Sequence, residues 1–256
     1  MLRVDLNADV GEGSPEEADL LPHVTSLNVA CGFHAGGPEE MERAVAAAAR
    51  LGLAAGAHPG YPDREGFGRR RLSLSPGEVF RDVLYQLGAL AAFGRAAGIG
   101  LTHLKPHGAM YAAAGGEPAL ALAVVRAAKA FGGLAVMAPP GSELLRAAAA
   151  AGLPVIREGF ADRAYLPDGR LAPRGDRGAV FNEPARAARQ AVELAVKRGV
   201  EAAGGAWLPL EVDTICVHAD TPGAARVAQA VRAALREGGV EVAPAKYLNR
   251  WAVSMG

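Results

Sequence analysis

The stretch Leu101–Tyr111, LTHLKPHGAMY, concentrates side chains that can do chemistry, with two of the chain's six histidines and a lysine. Lys105 precedes a proline, and a residue in that position favours extended backbone. If Leu101–Lys105 is a strand, His103 and Lys105 share one face, because side chains alternate between faces, and His107 follows in the loop. An ammonium group and two imidazoles at a strand end could act as acid, base or anion holder. The alternative is structural: a buried lysine–carboxylate pair beside two hydrogen-bonded histidines.

Other predicted strands also carry polar side chains on one face. In strand one, Asp5 and Asn7 lie opposite an apolar face, and Asp9 follows them. We expect Asp5, which lies deepest, to be the structural partner of Lys105, because buried charges are usually paired. Chain-distant polar residues should gather at one rim of the fold. The further candidates are Asn28, on the polar face of strand two, and His58, Glu158 and His218, each at or just after a strand end.

Two loops add candidates. The glycines of CGFHAGG allow tight turns and close approach of a ligand to the backbone, which makes His34 a candidate binding residue. The segment EGFADRAY mixes acid, base and aromatic groups, and its Asp162 and Arg163 could form a local ion pair or clamp a ligand. Glu12 lies between two glycines, and we expect it to be solvated unless its loop folds inward.

The elements that must position these residues alternate regularly. Apolar strands are followed by Gly- or His-rich loops and Ala-rich helices, a pattern that predicts parallel βαβ units. Seven or eight units without an obvious linker favour one α/β domain over residues 1–256, a distorted TIM-like (β/α)7–8 barrel. A doubly wound open sheet is the competitor, and both architectures place their sites at the carboxyl ends of the strands. The predicted strands are Leu2–Ala8, Ser26–Ala30, Leu53–Ala57, Leu101–Lys105, Leu134–Ala138, Pro154–Glu158, Val212–Val217 and a short Val240–Ala243.

Local signals predict several helix starts. Pro38 suits the first position of a helix, and Ser75 with Glu78 has the spacing of a capping box. Asn182 is a plausible cap for a helix over Glu183–Arg198, and Thr221-Pro222 should begin the last helix.

Composition argues against several classes of protein. Lys and Arg together number 27, as do Asp and Glu, so net charge gives no reason to expect nucleic acid or an anionic membrane as partner. The two cysteines form no disulfide framework. The N-terminus, MLRVDLNADVGEG, has an early charge and no long apolar region, so we expect no signal peptide and a cytoplasmic protein.

Several familiar motifs are missing from the sequence. It contains no GxxxxGK[ST] phosphate loop, no GxGxxG after the first strand, no GxSxG and no HExxH. We predict no metal site, although Asp9 with two histidines could bind a divalent ion, since carboxylate and imidazole suit such metals.

Five blocks, in this order, resemble the LamB/YcsF lactam-utilisation family: DLNADVGEG, SLNVACGFHAGGP, GAHPGYPDREGFGRR, LKPHGAMY and EGFADRAY. The resemblance implies a distorted barrel similar to the glycoside hydrolase and deacetylase barrels. It also implies ATP-dependent opening of the lactam 5-oxo-L-proline (pyroglutamate) to L-glutamate by a multi-subunit 5-oxoprolinase. ATP, accompanied by Mg²⁺, would then be the cofactor, and the B and C subunits of that enzyme would be the partners.

That reaction suggests roles for the candidates. Lys105 would hold a phosphate or an oxyanion, because its ammonium group is a compact point charge. Asp9 or His58 would be the base, and His107 the acid. We expect the substrate to contact Asn7, Asn28, His34, Glu158, Asp162 and Arg163.

Two alternatives stay open from the sequence. The chain could be a metal-dependent amide or deacetylase-type hydrolase that works alone, or a non-catalytic scaffold that completes a site on its partners. The missing phosphate loop also leaves the nucleotide site open. ATP could bind the glycine-rich loops of this chain or bind chiefly to a partner.

Overall fold

Parallel strands close into a barrel in the computed structural model, which describes residues 2–220 and 223–245. Six strands pair in sequence order, from β1 to β6, and β9 closes the ring by pairing with both β6 and β1. This closure confirms the predicted barrel over the open doubly wound sheet. The strands are β1 (Leu2–Val10), β2 (Ser26–Ala30), β3 (Ala54–His58), β4 (His103–Leu104), β5 (Ala135–Ala138), β6 (Val155–Phe160), β7 (Gly199–Glu201), β8 (Trp207–Pro209), β9 (Thr214–His218) and β10 (Val240–Val242).

Strand register decides which residues meet inside the barrel. On one side β1 pairs with β9, so that Asp9 lies opposite His218. On the other side it pairs with β2, so that Asp9 lies opposite Asn28. The predicted short last strand is present as β10, which pairs in parallel with the first residues of β1 and lies outside the closed ring.

Helices cover the outside of the barrel, and two helix signals act as predicted. Helix α2 begins at Pro38 and ends before Gly52, which adopts a left-handed conformation. Helix α3 begins with a complete capping box formed by Ser75 and Glu78. The helices are α1 (Glu17–Leu20), α2 (Pro38–Leu51), α3 (Pro76–Ala96), α4 (Gly108–Gly116), α5 (Pro118–Phe131), α6 (Glu143–Ala150), α7 (Pro184–Val192) and α8 (Ala224–Glu237).

The two faces of the strands have opposite chemistry. In β1, Val4, Leu6 and Ala8 join the large apolar core shared with the helices, whereas Asp5 and Asn7 hydrogen-bond to polar groups inside the ring. One part of the interior holds a small apolar cluster of Ala135, Met137, Ile156 and Ala245. The polar side chains therefore occupy the other part of the interior, toward the carboxyl ends of the strands.

Several predicted elements differ from the structure. The antiparallel hairpin of β7 and β8 and the helix α4 were not expected. Asn182 is not the cap of α7, since the N-cap residue is Glu183 and no side chain caps that helix. The predicted helix start at Thr221-Pro222 and the remainder of the 1–256 domain prediction, Met1 and residues 246–256, lie outside the described residues.

Among the residues that the structure describes, no single helix is long and apolar enough to cross a membrane. The helices α4 and α5 would reach that length together, but they are bent by 113° at their junction.

Candidate active site

A cavity of about 220 Å³ opens at the carboxyl end of the barrel. Its wall combines carboxylate, imidazole, ammonium, guanidinium and aromatic groups from the strand ends and the loops that follow them. Pockets for drug-sized ligands usually measure roughly 300–1,000 Å³. The cavity therefore suits a small polar molecule.

Lys105 is the central cation of this cavity and is buried. Its Nζ atom lies 2.8 Å from Asp9 Oδ1 and 2.8 Å from Glu158 Oε1, and it donates to Cys216 Sγ at 3.3 Å. Burial opposes the charge, but the attraction of Asp9 and Glu158 prevails and raises the pKa of Lys105 well above its usual value. Burial also raises the pKa of the Cys216 thiol. A neutral thiol is a weak acceptor, so the contact with Cys216 holds the ammonium group only weakly.

Asp9 joins the lysine to the histidines. Its Oδ1 atom accepts hydrogen bonds from Lys105 and from Asn28, each at 2.8 Å, and its Oδ2 atom lies 3.3 Å from His58 Nε2. Burial favours the neutral acid, but the charges of His58 and Lys105 outweigh it and hold the pKa of Asp9 well below its usual range. Asp9 is therefore a carboxylate that binds cations.

Asp5 does not pair with Lys105, so that prediction is wrong. The hydroxyl groups of Thr25, Ser26 and Thr214 all donate to the Asp5 carboxyl group. Lys105 comes at the end of its strand, so its ammonium group lies level with Asp9, four residues beyond Asp5. Burial raises the pKa of Asp5, against the effect of the three hydroxyl groups.

A polar network beneath the cavity holds Asp9 in place. His103 Nε2 lies 2.7 Å from Asn28 Oδ1, which can only accept, so this ring nitrogen carries the proton. The amide of Asn28 then donates to Asp9 and to Asn7, and Asn7 donates to Thr214 at 2.8 Å. Burial lowers the pKa of His103 to about 3, which keeps the ring neutral.

Glu12 lies inside the site, contrary to the expectation that it is solvated. Its Oε1 atom is 2.9 Å from His34 Nε2, 3.2 Å from His107 Nδ1 and 3.6 Å from His58 Nε2. The loop turns inward because Gly11 adopts a positive φ of 74° and its N–H donates to Glu17 Oε2. Burial favours the neutral acid, but the contacts with the His107 and His34 rings outweigh it and lower the pKa of Glu12.

His58 and His107 point ring nitrogens at each other. His58 Nε2 and His107 Nδ1 lie 2.9 Å apart. The opposite nitrogens face backbone carbonyls at 2.8 Å each, His58 Nδ1 at Lys105 and His107 Nε2 at Phe67. Burial opposes both imidazolium forms; Asp9 nevertheless raises the pKa of His58, while the pKa of His107 is lowered despite its contact with Glu12.

His34 stacks on His107, with ring centroids 3.7 Å apart and planes within 5° of parallel. Two glycines make room for this pair. A Cβ atom on Gly60 would lie 2.5 Å from His34 Nδ1, and one on Gly68 would lie 2.7 Å from His34 Cβ and 2.9 Å from His107 Cδ2. Burial lowers the pKa of His34 to about 4, so the ring is neutral and donates its Nε2 proton to Glu12.

The loop after β6 contributes a second histidine–carboxylate pair. Asp162 accepts from the ring and the backbone N–H of His218, at 2.9 and 3.0 Å, and His218 stacks on Phe160. The charge of His218 lowers the pKa of Asp162 despite burial. Arg163 does not pair with Asp162; its guanidinium donates to the carbonyl groups of Ala172 and Ala179.

Several residues of the site were not singled out from the sequence. The Tyr111 hydroxyl donates to Glu158 Oε2 at 2.6 Å and lines the cavity. Arg69 and Arg174 both pair with Asp220 at the cavity mouth. Tyr111 belongs to the histidine-rich stretch and Arg69 to the block GAHPGYPDREGFGRR, which were usable signals, whereas nothing in the sequence distinguishes Arg174 from the other arginines.

The structure brings part of the predicted set to the cavity wall: Asp9, His58, Lys105, His107 and Arg163. His34, Glu158 and Asp162 stand behind the wall and contact the residues that form it. Asn7 and Asn28 lie beneath Asp9, fully buried, with their amide groups bonded to other side chains. These two residues therefore support Asp9, and their contact with a substrate stays a prediction.

The arrangement can hold a developing negative charge at Lys105 and move protons through the imidazoles beside it. Burial strengthens both effects, because water screens charges strongly in solvent and much less in a buried site with a low dielectric constant.

Comparison with known proteins agrees with this architecture. The model of the LamB/YcsF family matches residues 4–250. A protein of Methylococcus capsulatus, named as the A subunit of 5-oxoprolinase, is 49% identical over 246 residues, which cover 94% of this chain and 95% of the relative. A protein of the same name from Symbiobacterium thermophilum is 50% identical over 248 residues, covering 94% of each.

Solved structures show the same likeness. The lactam utilization protein from Thermus thermophilus has a TM-score of 0.88 and 46% identity, covering 94% of this chain and 99% of its own. A family 4 carbohydrate esterase from Streptomyces lividans, in complex with acetate, has a TM-score of 0.51 at 13% identity, covering 100% of this chain and 98% of its own. The esterase shares the fold alone. The family match over most of the chain, together with these close relatives, shows that the chain belongs to the LamB/YcsF family.

Proposed function

We propose that this chain is the A subunit of a multi-subunit 5-oxoprolinase, which opens 5-oxo-L-proline to L-glutamate and hydrolyses ATP. The relatives that carry this subunit name support the assignment at 47–50% identity over 93–94% of this chain. The observation that carries the proposal is the position of Lys105. It is a buried ammonium group, held between two carboxylates, on the wall of a cavity suited to a molecule as small as 5-oxoproline.

The reaction needs ATP because a five-membered lactam is a stable amide. Transfer of the γ-phosphoryl group of ATP to the lactam oxygen releases ADP and leaves a carbon that water can attack. Departure of the protonated ring nitrogen breaks the C–N bond and leaves an acyl phosphate. A second water then releases phosphate, and L-glutamate remains. Such a sequence requires a cation beside the oxygen, a base for water and a proton for nitrogen.

Lys105 supplies the cation in this proposal. Asp9 and Glu158 fix its Nζ atom, and Lys105 itself lines the cavity, so its ammonium group can attract the lactam oxygen or the phosphoryl group. Because the surrounding groups are already oriented, little reorganisation is needed as charge develops on the substrate. Tyr111 and Asn28 act indirectly, since they hold Glu158 and Asp9.

Proton transfer falls to His58 and His107 acting together. Asp9 is a poor base, because its pKa is held well below its usual range. The pKa of His58 is raised and that of His107 is lowered, so a proton placed between them resides on His58. The pair can take a proton from water and return one to the ring nitrogen.

Arginines at the cavity would recognise the carboxylate of 5-oxoproline. Arg163 lines the wall, and Arg69 and Arg174 meet at the mouth on Asp220. A substrate carboxylate offers the same pair of oxygens as Asp220 does, and arginine binds such groups in a two-point arrangement.

The nucleotide is assigned largely to the partners. A volume of about 220 Å³ is small for ATP beside a lactam, and the sequence has no phosphate loop. We therefore place most of the ATP–Mg²⁺ contacts on the B and C subunits, with the γ-phosphoryl group delivered toward Lys105.

The test is co-expression of this chain with the B and C subunits, followed by an assay of glutamate formed from 5-oxoproline and ATP. We expect turnover only when all three chains and ATP are present. Turnover by this chain alone without ATP would instead indicate a hydrolase that acts by itself. Full activity of Lys105→Met in the complex would indicate a non-catalytic scaffold.

A further inference from the structure

Two ring nitrogens of His58 and His107 face each other, and their lone pairs would repel. Either a shared proton or a shared metal ion would remove this repulsion. Each ring has its outer nitrogen at 2.8 Å from a backbone carbonyl, which can only accept, so both outer nitrogens carry hydrogen. In the neutral rings, the facing nitrogens His58 Nε2 and His107 Nδ1 then both carry a lone pair and no hydrogen, and they lie 2.9 Å apart. Two lone pairs at that distance repel unless a positively charged species is shared between them.

Glu12 completes a triangle of donor atoms with these nitrogens. Its Oε1 atom lies 3.2 Å from His107 Nδ1 and 3.6 Å from His58 Nε2. Tetrahedral zinc with ligand bonds of about 2.0–2.2 Å spaces its ligand atoms about 3.3–3.6 Å apart. The 3.6 Å side of the triangle lies in this range, the 3.2 Å side is just below it, and the 2.9 Å side is about 0.4 Å short, so a bound ion would move the two rings slightly apart. All three donors are suited to one ion.

We propose that Glu12, His58 and His107 bind one divalent transition-metal ion of the zinc type at the cavity wall. Such an ion would replace the proton shared by the two rings, and the base of the proposed reaction would then be a water activated by the ion instead of the imidazoles. The carbonyl groups of Lys105 and Phe67 would orient the two rings, as outer partners of metal-bound imidazoles generally do. The cavity provides the open coordination position that distinguishes reactive zinc sites from closed structural ones. Asp9 Oδ2, 3.3 Å from His58 Nε2, is the nearest further donor.

His34 is a positioning residue and not a ligand. Imidazole lone pairs lie in the ring plane, and two parallel rings 3.7 Å apart cannot both direct them at an ion about 2 Å away. His34 instead donates its Nε2 proton to Glu12 Oε1 at 2.9 Å, which holds the carboxylate toward the other two rings.

A second group of potential ligands does not qualify. Asp9, Cys216 and His218 also converge. Lys105 Nζ, however, already lies 2.8 Å from Asp9 and 3.3 Å from Cys216, so a cation occupies that place. His218 directs its Nδ1 to Asp162.

The test uses this chain without partners, substrate or nucleotide, so its outcome does not depend on the proposed function. After removal of metals with a chelator, Zn²⁺ binding is measured by calorimetry and Co²⁺ binding by its visible absorption. We expect one tight site. His58→Gln, His107→Gln and Glu12→Gln should each weaken Zn²⁺ binding on the order of 100-fold or more. The matched control, His218→Asn, removes a histidine of the same cavity and should bind Zn²⁺ like the parent.

X-ray absorption of the Zn²⁺-loaded parent chain keeps the proposal testable even if a variant fails to fold. It should show two imidazole ligands together with oxygen. Ligands of oxygen only, no tight site in the parent, or equal binding by the three variants and the parent would overturn the proposal and leave a shared proton between His58 and His107.

Discussion

Asp9 Oδ1 and Lys105 Nζ lie 2.8 Å apart, although β2 and β3 separate their two strands around the barrel. The contact crosses the interior and joins the first strand to the histidine-rich stretch 101–111. Glu158, on the opposite side, is also 2.8 Å from the same ammonium. One buried cation thus links three parts of the ring, and its removal should affect both folding and chemistry.

Replacing Lys105 by Met should abolish glutamate formation by the assembled complex. It should also lower the free energy of unfolding by about 3–5 kcal/mol, because it leaves buried carboxylates without their partner. Denaturant unfolding of the isolated chain measures the second effect. The double variant Lys105→Met/Glu158→Gln should regain part of the stability and none of the activity. Restored activity in the double variant would show that only the charge balance matters.

Asp5 should behave differently from Asp9, although both are buried acids of β1. Asp5→Asn loses an acceptor for the hydroxyl groups of Thr25, Ser26 and Thr214, so we expect a stability loss of about 1–3 kcal/mol. Turnover per folded molecule should stay near the parent value, because no Asp5 contact reaches the cavity wall. Asp9→Asn should lose turnover at least 100-fold, since it removes the charge that holds both Lys105 and His58. Equal losses of turnover in the two variants would contradict the separation of roles.

Local sequence patterns were enough for much of the fold. The alternation in β1, the Pro38 helix start and the Ser75 capping box each depend on neighbouring residues only, and each is present. The hairpin of β7 and β8 was not predicted, because its antiparallel pair interrupts the alternation of parallel strands and helices on which the prediction rested.

The sequence was enough to place the site residues at the rim of the barrel, but not to predict which of their side chains contact each other. A polar residue at a strand end belongs to the rim whatever its partner, so Asp9, His58 and Lys105 could be placed there. Which carboxylate meets Lys105 depends on register across the whole barrel, and the choice of Asp5 was wrong for that reason. Glu12 depends on the positive φ of Gly11 and on the hydrogen bond to Glu17, two features that no spacing rule reveals.

Gly68→Ala should displace the stacked rings of His34 and His107, although Gly68 has no side chain in the site. Gly68 has a φ of 63°, and a Cβ atom there would lie 2.7 Å from His34 Cβ and 2.9 Å from His107 Cδ2. We expect a stability loss of more than about 1–2 kcal/mol, the usual cost of a left-handed alanine, together with weaker Zn²⁺ binding.

Gly13→Ala is the matched control for that variant. Gly13 also has a positive φ, of 85°, but a Cβ atom there would meet nothing within 4 Å. This variant should lose only the free energy of unfolding that a left-handed alanine costs, and its Zn²⁺ affinity and turnover should be unchanged. The same loss of Zn²⁺ affinity in both variants would attribute the effect to loop strain and not to the rings.

The Asp162–His218 pair should stabilise the fold in a pH-dependent way. The pKa of Asp162 is lowered in the folded chain, so ionised Asp162 stabilises the fold above the unfolded aspartate pKa of about 3.9. That contribution is lost as the pH falls through the folded value. The parent should therefore be more stable than Asp162→Asn at pH 7, and the difference should shrink below about pH 4. Paired denaturant titrations from pH 7 to pH 3 measure this difference, in which the titration of distant groups cancels. If the difference in unfolding free energy between the parent and Asp162→Asn stays constant over that range, Asp162 acts by its shape and hydrogen bonds rather than by its charge.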